Sequence, residues 1–163
     1  MQRVGLLFDS LRAPYDVAHI YQVATALGNC DLYLSGNCIN PNHKKIVSKV
    51  KSWGIENFPS FKHFVNLEDA VSQLHSEGKV LVGTSPYTEE DIYDYDFTKR
   101  DSVIVFGTES SGLSRKKSSL LDGLVKIPMS PECQFLTLPT AVPIAAYEFY
   151  RQIKESQNEM LKR

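Results

Sequence analysis

The sequence predicts an α/β fold: a mostly parallel sheet with helices on both faces. Two observations carry this. Short apolar runs such as Val4-Gly5-Leu6-Leu7-Phe8 and Ser102-Val103-Ile104-Val105-Phe106 have the length of buried strands. They alternate with stretches of helical periodicity, and alternating strands and helices build a parallel sheet covered on both sides. No internal repeat, linker or low-complexity segment interrupts the 163 residues. One domain over residues 1–163 is therefore expected.

The elements follow in order. After the first strand, Arg12–Asp16 is a loop, and Asp16 is placed to cap a helix whose stripe is Ile20, Val23, Ala24 and Leu27. Gly28 ends it. Asp31–Leu34 reads as a second strand, and His43–Trp53 as a helix with lysines outward. Phe61–Val65 is a third strand, followed by Asn66 as an N-cap and a helix to Glu77 that Gly78 stops. Val80–Gly83 and Leu124–Ile127 complete the strands, and a last helix starts near Thr140.

Composition excludes several classes. Apolar residues at 42 % and charged residues at 23 % suit a globular domain with its own core. No apolar stretch approaches the roughly 20 residues of a membrane span, and the N-terminus reads as a strand rather than a signal peptide. Three cysteines, an odd count without C-x-x-C spacing, predict thiols in a reducing cytoplasm. The four histidines are scattered without ligand spacing, so no metal is expected. A net charge of −1 means that a polyanion would be held by local patches. Lysines 44, 45, 49 and 51, the run Arg115-Lys116-Lys117 and the acidic, aromatic stretch Glu89–Asp96 all read as solvated surface.

In parallel sheets ligands bind beyond the carboxyl ends of the strands. This points to loops beginning at Gly83, Gly107 and Pro128. The loop after the strongest strand reads F-G-T-E-S-S-G-L from Phe106 to Leu113. It has little bulk between backbone and ligand, but it is neither a Walker A loop nor G-x-G-x-x-G. The second stretch runs from Lys126 through Ile127-Pro128-Met129 to Phe135-Leu136-Thr137-Leu138-Pro139-Thr140-Ala141. By composition it is a rigid loop leading into a tightly packed helix.

Together these stretches resemble the TrmH/SpoU branch of the SPOUT-class RNA methyltransferases. F-G-T-E-S-S-G-L matches the family's F-G-x-E-x-x-G-L, and I-P-M follows at a fitting distance. Ala145-Ala146-Tyr147-Glu148 is similar to the family's V-x-x-Y-E ending. The resemblance implies a C-terminal trefoil knot, S-adenosyl-L-methionine as cofactor, tRNA or rRNA as partner, and a homodimer with a shared active site. It places the cofactor against Gly83, Thr84, Gly107, Glu109, Ile127, Met129, Leu136 and Leu138. The adenine pocket is expected among Ile127, Met129, Leu136 and Leu138, closed by the Gly107 loop. Tyr147, Phe149, Tyr150 and Ile153 occupy more than one face of the last helix, a surplus that suits a subunit interface.

The sequence departs from the family at its first motif, N-x-G-x-x-x-R. Asp16, Ala18 and Gln22 stand at the Asn, Gly and Arg positions, and Phe135, Thr137 and Pro139 replace polar residues of the last motif. A glutamine carries no charge to stabilise an alkoxide. Arg12 and then His19 are the candidates for the catalytic role. The resulting expectation is a ribose 2′-O-methyltransferase acting on RNA. The alternatives are a non-catalytic SPOUT module and a flavodoxin-like nucleotide- or phosphate-binding protein.

Overall fold

The computed structural model describes residues 2–107 and 112–162. Six strands form one parallel sheet: β1 (Val4–Asp9), β2 (Cys30–Ser35), β3 (Phe61–Phe64), β4 (Val80–Thr84), β5 (Ser102–Phe106) and β6 (Gly123–Val125). Their spatial order is β3-β2-β1-β5-β4-β6. β5 is inserted between β1 and β4, an order found in neither the Rossmann nor the flavodoxin sheet. All residues of β1 and β5 are buried, as central strands covered on both faces require.

Helices α1 (Pro14–Leu27), α2 (Lys44–Ser52) and α5 (Leu138–Leu161) pack together, with α5 resting on α1 and β1. Their core gathers Leu6, Phe8, Ile104 and Phe106 from the sheet with Ile20, Ile46 and Phe149. The Phe8 and Phe106 rings stack at 5.2 Å. On alternate strand positions, Leu7, Leu81, Val103 and Val105 face α3 (Leu67–Ser76), and Leu113, Leu120 and Leu121 pack against this second cluster. Leu120 and Leu121 directly follow the short α4 (Arg115–Ser118). The two-residue period of the strands thus divides one sheet between two helical layers.

Several local expectations shift. Asp16 is not the cap of α1: Pro14 takes the first turn, where its missing N–H costs no bond, and Ala13 becomes the N-cap. Asp16 lies in the first turn, where its charge still complements the helix dipole. His43 caps α2, its Nδ1 accepting from the Lys45 amide at 3.1 Å, and Asn66 caps α3 through the Asp69 amide at 2.8 Å. α5 starts at Leu138, before the expected Thr140, because Pro139 is tolerated in a first turn. Phe149 and Ile153 are buried within this chain, which leaves Tyr147 and Tyr150 as the partly exposed aromatics of α5.

The acidic stretch is not wholly solvated. Its 3₁₀ turn (Ile92–Asp94) buries Ile92, and Phe97 just beyond is fully buried and stacks on Phe149 at 4.9 Å. Gln152 of α5 fastens this segment. Its Oε1 accepts from the Phe97 amide at 2.8 Å, and its Nε2 donates to the Tyr95 carbonyl at 2.8 Å. The same Nε2 donates to buried Glu148, which also takes two bonds from Arg151 at 2.8 and 2.9 Å. Burial alone would raise the Glu148 carboxyl, but these donors outweigh it and hold it below the ordinary value of 4.5. A depressed carboxyl stabilises the fold above its unfolded pKa, and that contribution is lost as pH falls through the lower folded value. Melting curves from pH 7 to pH 3 should therefore show a shallower acid decline for Glu148→Gln than for the parent below about pH 4.5. Parallel curves would remove Glu148 from the acid response. Glu148→Ala should cost roughly 1 kcal/mol at neutral pH, because half-exposed Arg151 keeps Glu155 and Gln152 keeps the Tyr95 carbonyl.

Candidate functional site

At the carboxyl ends of β4, β5 and β6 lies a cavity of about 290 Å³, near the lower bound for small-molecule sites. Thr84, Gly107, Ile127, Met129, Leu136 and Leu138 all line it. Three separate chain segments converge there because parallel strands deliver all their outgoing loops to one edge. The lining is mostly aliphatic side chains, aromatic rings and backbone, with the polar side chains of Thr84, Ser85 and Gln134 among them. Among the described residues it contains no Asp, Glu, His, Lys or Arg. Such a surface binds by shape, apolar contact and hydrogen bonds from main chain and a few uncharged polar side chains. Among the described residues it supplies no carboxylate or imidazole to take a proton.

Gly107 forms part of the wall under a severe constraint. A Cβ there would lie 2.1 Å from the Gly112 carbonyl carbon and 2.3 Å from the Leu113 amide nitrogen. The Gly112–Leu113 backbone lies directly over Gly107. Gly112 has φ 66°, a backbone region that glycine enters without strain. Gly83 plays a different part from the one expected. It does not line the cavity: a Cβ would meet Leu121 at 2.5 Å, Leu124 at 2.9 Å and Leu113 at 3.0 Å. Its bare Cα is the floor on which the leucines flanking α4 pack. Glu109 lies outside the described residues.

Lys117 departs from the solvated role read for its cluster. Its Nζ lies 2.5 Å from the Asp9 carboxylate, which is only 3 % exposed and also accepts from the Ser35 hydroxyl at 2.8 Å. The ion pair ties α4 back to the end of β1. The signal for it was an aspartate closing an otherwise apolar strand. Arg115 and Lys116 are exposed, as expected.

Arg12 and His19 do not line the cavity. Arg12 is exposed in the loop leaving β1, on the same edge of the sheet. The His19 ring sits between two aromatics, with the Tyr15 centroid at 4.4 Å and that of Trp53 at 5.2 Å. Tyr21, beside Gln22 in sequence, is core: burial pushes its hydroxyl up to about 12, and it donates to the Pro41 carbonyl at 3.3 Å.

Residues 3–147 match the model of the SpoU rRNA Methylase family. This chain belongs to that family. An uncharacterized tRNA/rRNA methyltransferase from Synechocystis is 28 % identical over 150 residues, covering 92 % of this chain and 54 % of the relative. A 23S rRNA uridine 2′-O-methyltransferase from Streptomyces viridochromogenes is 29 % identical, covering 91 % and 53 %. The chain spans about half the length of these curated relatives. The crystal structure of the SpoU methyltransferase AviRb from the same Streptomyces, in complex with AdoMet, superposes with a TM-score of 0.81 at 25 % identity. That match covers 94 % of this chain and 62 % of the other.

Against the SpoU pattern, Gln22 is exposed on α1 and Thr137 is the N-cap of α5. Thr137 is thereby used locally, its hydroxyl 3.1 Å from that of Thr140. Sequence reasoning missed other residues that line the cavity: Pro86, Tyr87, Phe106, Gln134, Phe135 and Ala141. Tyr87 lies four positions past Gly83, where the carboxyl-end rule already pointed, but its acidic surroundings read as surface. Gly107→Ala should destabilise the fold at or above the upper end of the roughly 1–3 kcal/mol typical of overpacking, because backbone cannot move aside as a side chain does. Gly123→Ala is the control, since a Cβ there meets nothing within 4 Å. Thermal melts should show a drop of roughly 6–12 °C for the first and almost none for the second. Equal melting temperatures would mean that the loop does not cross over Gly107.

Proposed function

We propose that this chain acts as a homodimer that transfers a methyl group from S-adenosylmethionine to a ribose 2′-hydroxyl of tRNA or rRNA. The observation that carries the reading is the convergence of Thr84, Gly107, Ile127, Met129, Leu136 and Leu138 on one cavity. Its apolar and main-chain lining fits an adenosine moiety: aliphatic side chains for the purine faces, backbone groups for its polar edge. Bound there, S-adenosylmethionine supplies a methyl group on a sulfonium, so the protein is left with positioning and proton handling.

Positioning is within reach of this chain. Gly107 brings the backbone close, and the β6–α5 loop presents Ile127 to Leu138. Proton handling is not, because no ionisable lining residue is available among those described. The acceptor oxygen must meet its charge-stabilising group from elsewhere, and a second subunit is the source we assign. Arg12 leads the candidates: it is long, loop-borne and on the cavity's edge of the sheet. His19 follows it, since its ring is held between Tyr15 and Trp53. Tyr147, 44 % exposed with its ring 6.0 Å from that of Tyr150, supports an interface on α5. The knot belongs to the same proposal. Its support is the crossing over Gly107 and the return of the chain from outer strand β6 to α5 on α1 and β1.

One observation favours a second reading. Gln22 stands at the family's arginine and has no charge, which suits a module that binds cofactor and RNA without transferring methyl. Calorimetry with S-adenosylhomocysteine and a methyl-transfer assay on bulk RNA separate the two. Saturable binding with transfer is expected. Arg12→Ala should lower the rate on the order of a hundredfold with cofactor affinity unchanged, and His19→Ala should change it far less. Binding without transfer, with transfer gained in Gln22→Arg, supports the second reading. No binding overturns both.

A further inference from the structure

The cofactor reading leaves two aromatic side chains at the cavity mouth without a role. Tyr87 is 91 % exposed and Phe135 is 57 % exposed, yet both line the cavity. They come from different segments, the loop after β4 and the loop after β6. An aromatic ring left in water is informative when it borders a concave site. Both residues are also held locally. Pro86 restricts the chain before Tyr87, whose amide donates to the Ser85 hydroxyl at 3.2 Å. The Phe135 carbonyl accepts from the Cys133 thiol at 3.1 Å, and α5 begins three residues later. Part of the ordering cost of binding is thus already met in folding.

A second cavity, of about 270 Å³, shares Pro86, Tyr87, Ile127, Met129 and Gln134 with the first and adds Lys126. Tyr87 therefore stands at the boundary between the two. Glu89 and Glu90, both exposed, follow it closely in sequence and repel phosphate. Lys126 adds a positive charge to the second cavity, on a segment whose backbone pairs with Glu90 and Asp91. A ligand with a flat face, a polar edge and one adjacent negative charge fits this arrangement.

We propose that Tyr87 and Phe135 are specificity-determining residues that stack on an unpaired nucleobase of the acceptor RNA, with Lys126 beside the adjoining phosphate. The inference rests on the methyltransferase reading and names how that site selects its substrate. Stacking requires a free base face, which a duplex does not offer. The purine of the cofactor is not the occupant assigned to Tyr87. A ring so exposed projects to solvent, and the cavity interior already has aliphatic walls.

The test uses the full chain, S-adenosylhomocysteine, a fluorescein-labelled ten-nucleotide single-stranded RNA and the same RNA annealed to its complement. Tyr87→Ala and Phe135→Ala are each expected to weaken single-strand binding roughly tenfold, the scale of one lost base-stacking contact. Tyr87→Phe should retain binding, and S-adenosylhomocysteine affinity should stay within about twofold, as for a contact outside the cofactor. Duplex binding should be weaker and indifferent to all three changes. Unchanged single-strand affinity in both alanine variants overturns the proposal. So does a matching fall in S-adenosylhomocysteine affinity, which would make the rings walls of the cofactor site. A parent protein that binds S-adenosylhomocysteine but no RNA overturns the stacking proposal alone. One that binds neither overturns the methyltransferase reading as well.

Discussion

The crossing of the chain over Gly107 is the constraint on which the rest of the structure depends. No side chain fits where the Gly112–Leu113 backbone passes. That contact holds the Gly112–Leu113 backbone against the end of β5. It brings Leu113 to Gly83, where Leu121 and Leu124 also pack. Two bare Cα positions, at the carboxyl ends of neighbouring strands, thereby serve opposite purposes. One lets backbone approach the cavity, and the other lets leucines seal the layer beneath it. The Asp9–Lys117 ion pair anchors the far side of the same excursion to β1. Because Asp9 is buried, removing Lys117 would leave its charge, among the described residues, with the Ser35 hydroxyl, a costly state that disfavours release of α4.

Much of this was legible in the sequence, for identifiable reasons. β5 and β1 are apolar throughout because both their faces are covered, and a short, fully apolar run is what such a position in the sheet demands. Asn66 announced α3 through its capping chemistry. The six cavity residues were legible through the resemblance of their loops to the TrmH/SpoU motifs; the strand-end rule alone pointed only to the loops beginning at Gly83, Gly107 and Pro128. The failures have physical causes too. A proline in a first helical turn is harmless, so neither Pro14 nor Pro139 marked its helix boundary as expected. The acidic stretch hid Ile92 and Phe97, since a short 3₁₀ turn buries single residues without any period. Lys117 could not be told from its neighbours until Asp9 was placed beside it, since contacts 108 residues apart leave no local trace. Gly83 was assigned to the ligand for the right edge of the sheet and the wrong face.

The chemistry divides in a way that the departures from the family pattern illuminate. Most of the described cavity lining is suited to holding a flat, mostly apolar group close to backbone, with Thr84, Ser85 and Gln134 as its polar side chains. Nothing there among the described residues takes up a proton. Gln22, where the family carries arginine, leaves the second task to a residue outside the cavity. In the proposed homodimer, a site assembled across a two-fold axis would satisfy this without altering the cavity walls. The departures fall in the first motif and at Phe135, Thr137 and Pro139 of the last, while F-G-T-E-S-S-G-L and I-P-M keep the family pattern.

The central claim is that the cavity bounded by Gly107 and the Ile127–Leu138 loop holds the adenosine of the cofactor. A crystal structure of the protein with S-adenosylhomocysteine tests it most directly. The account predicts the purine among Ile127, Met129, Leu136 and Leu138, with backbone at its polar edge and a second subunit's Arg12 loop facing the sulfur. A purine bound anywhere else on the chain, or a cavity filled by side chains that collapse into it, would contradict the account.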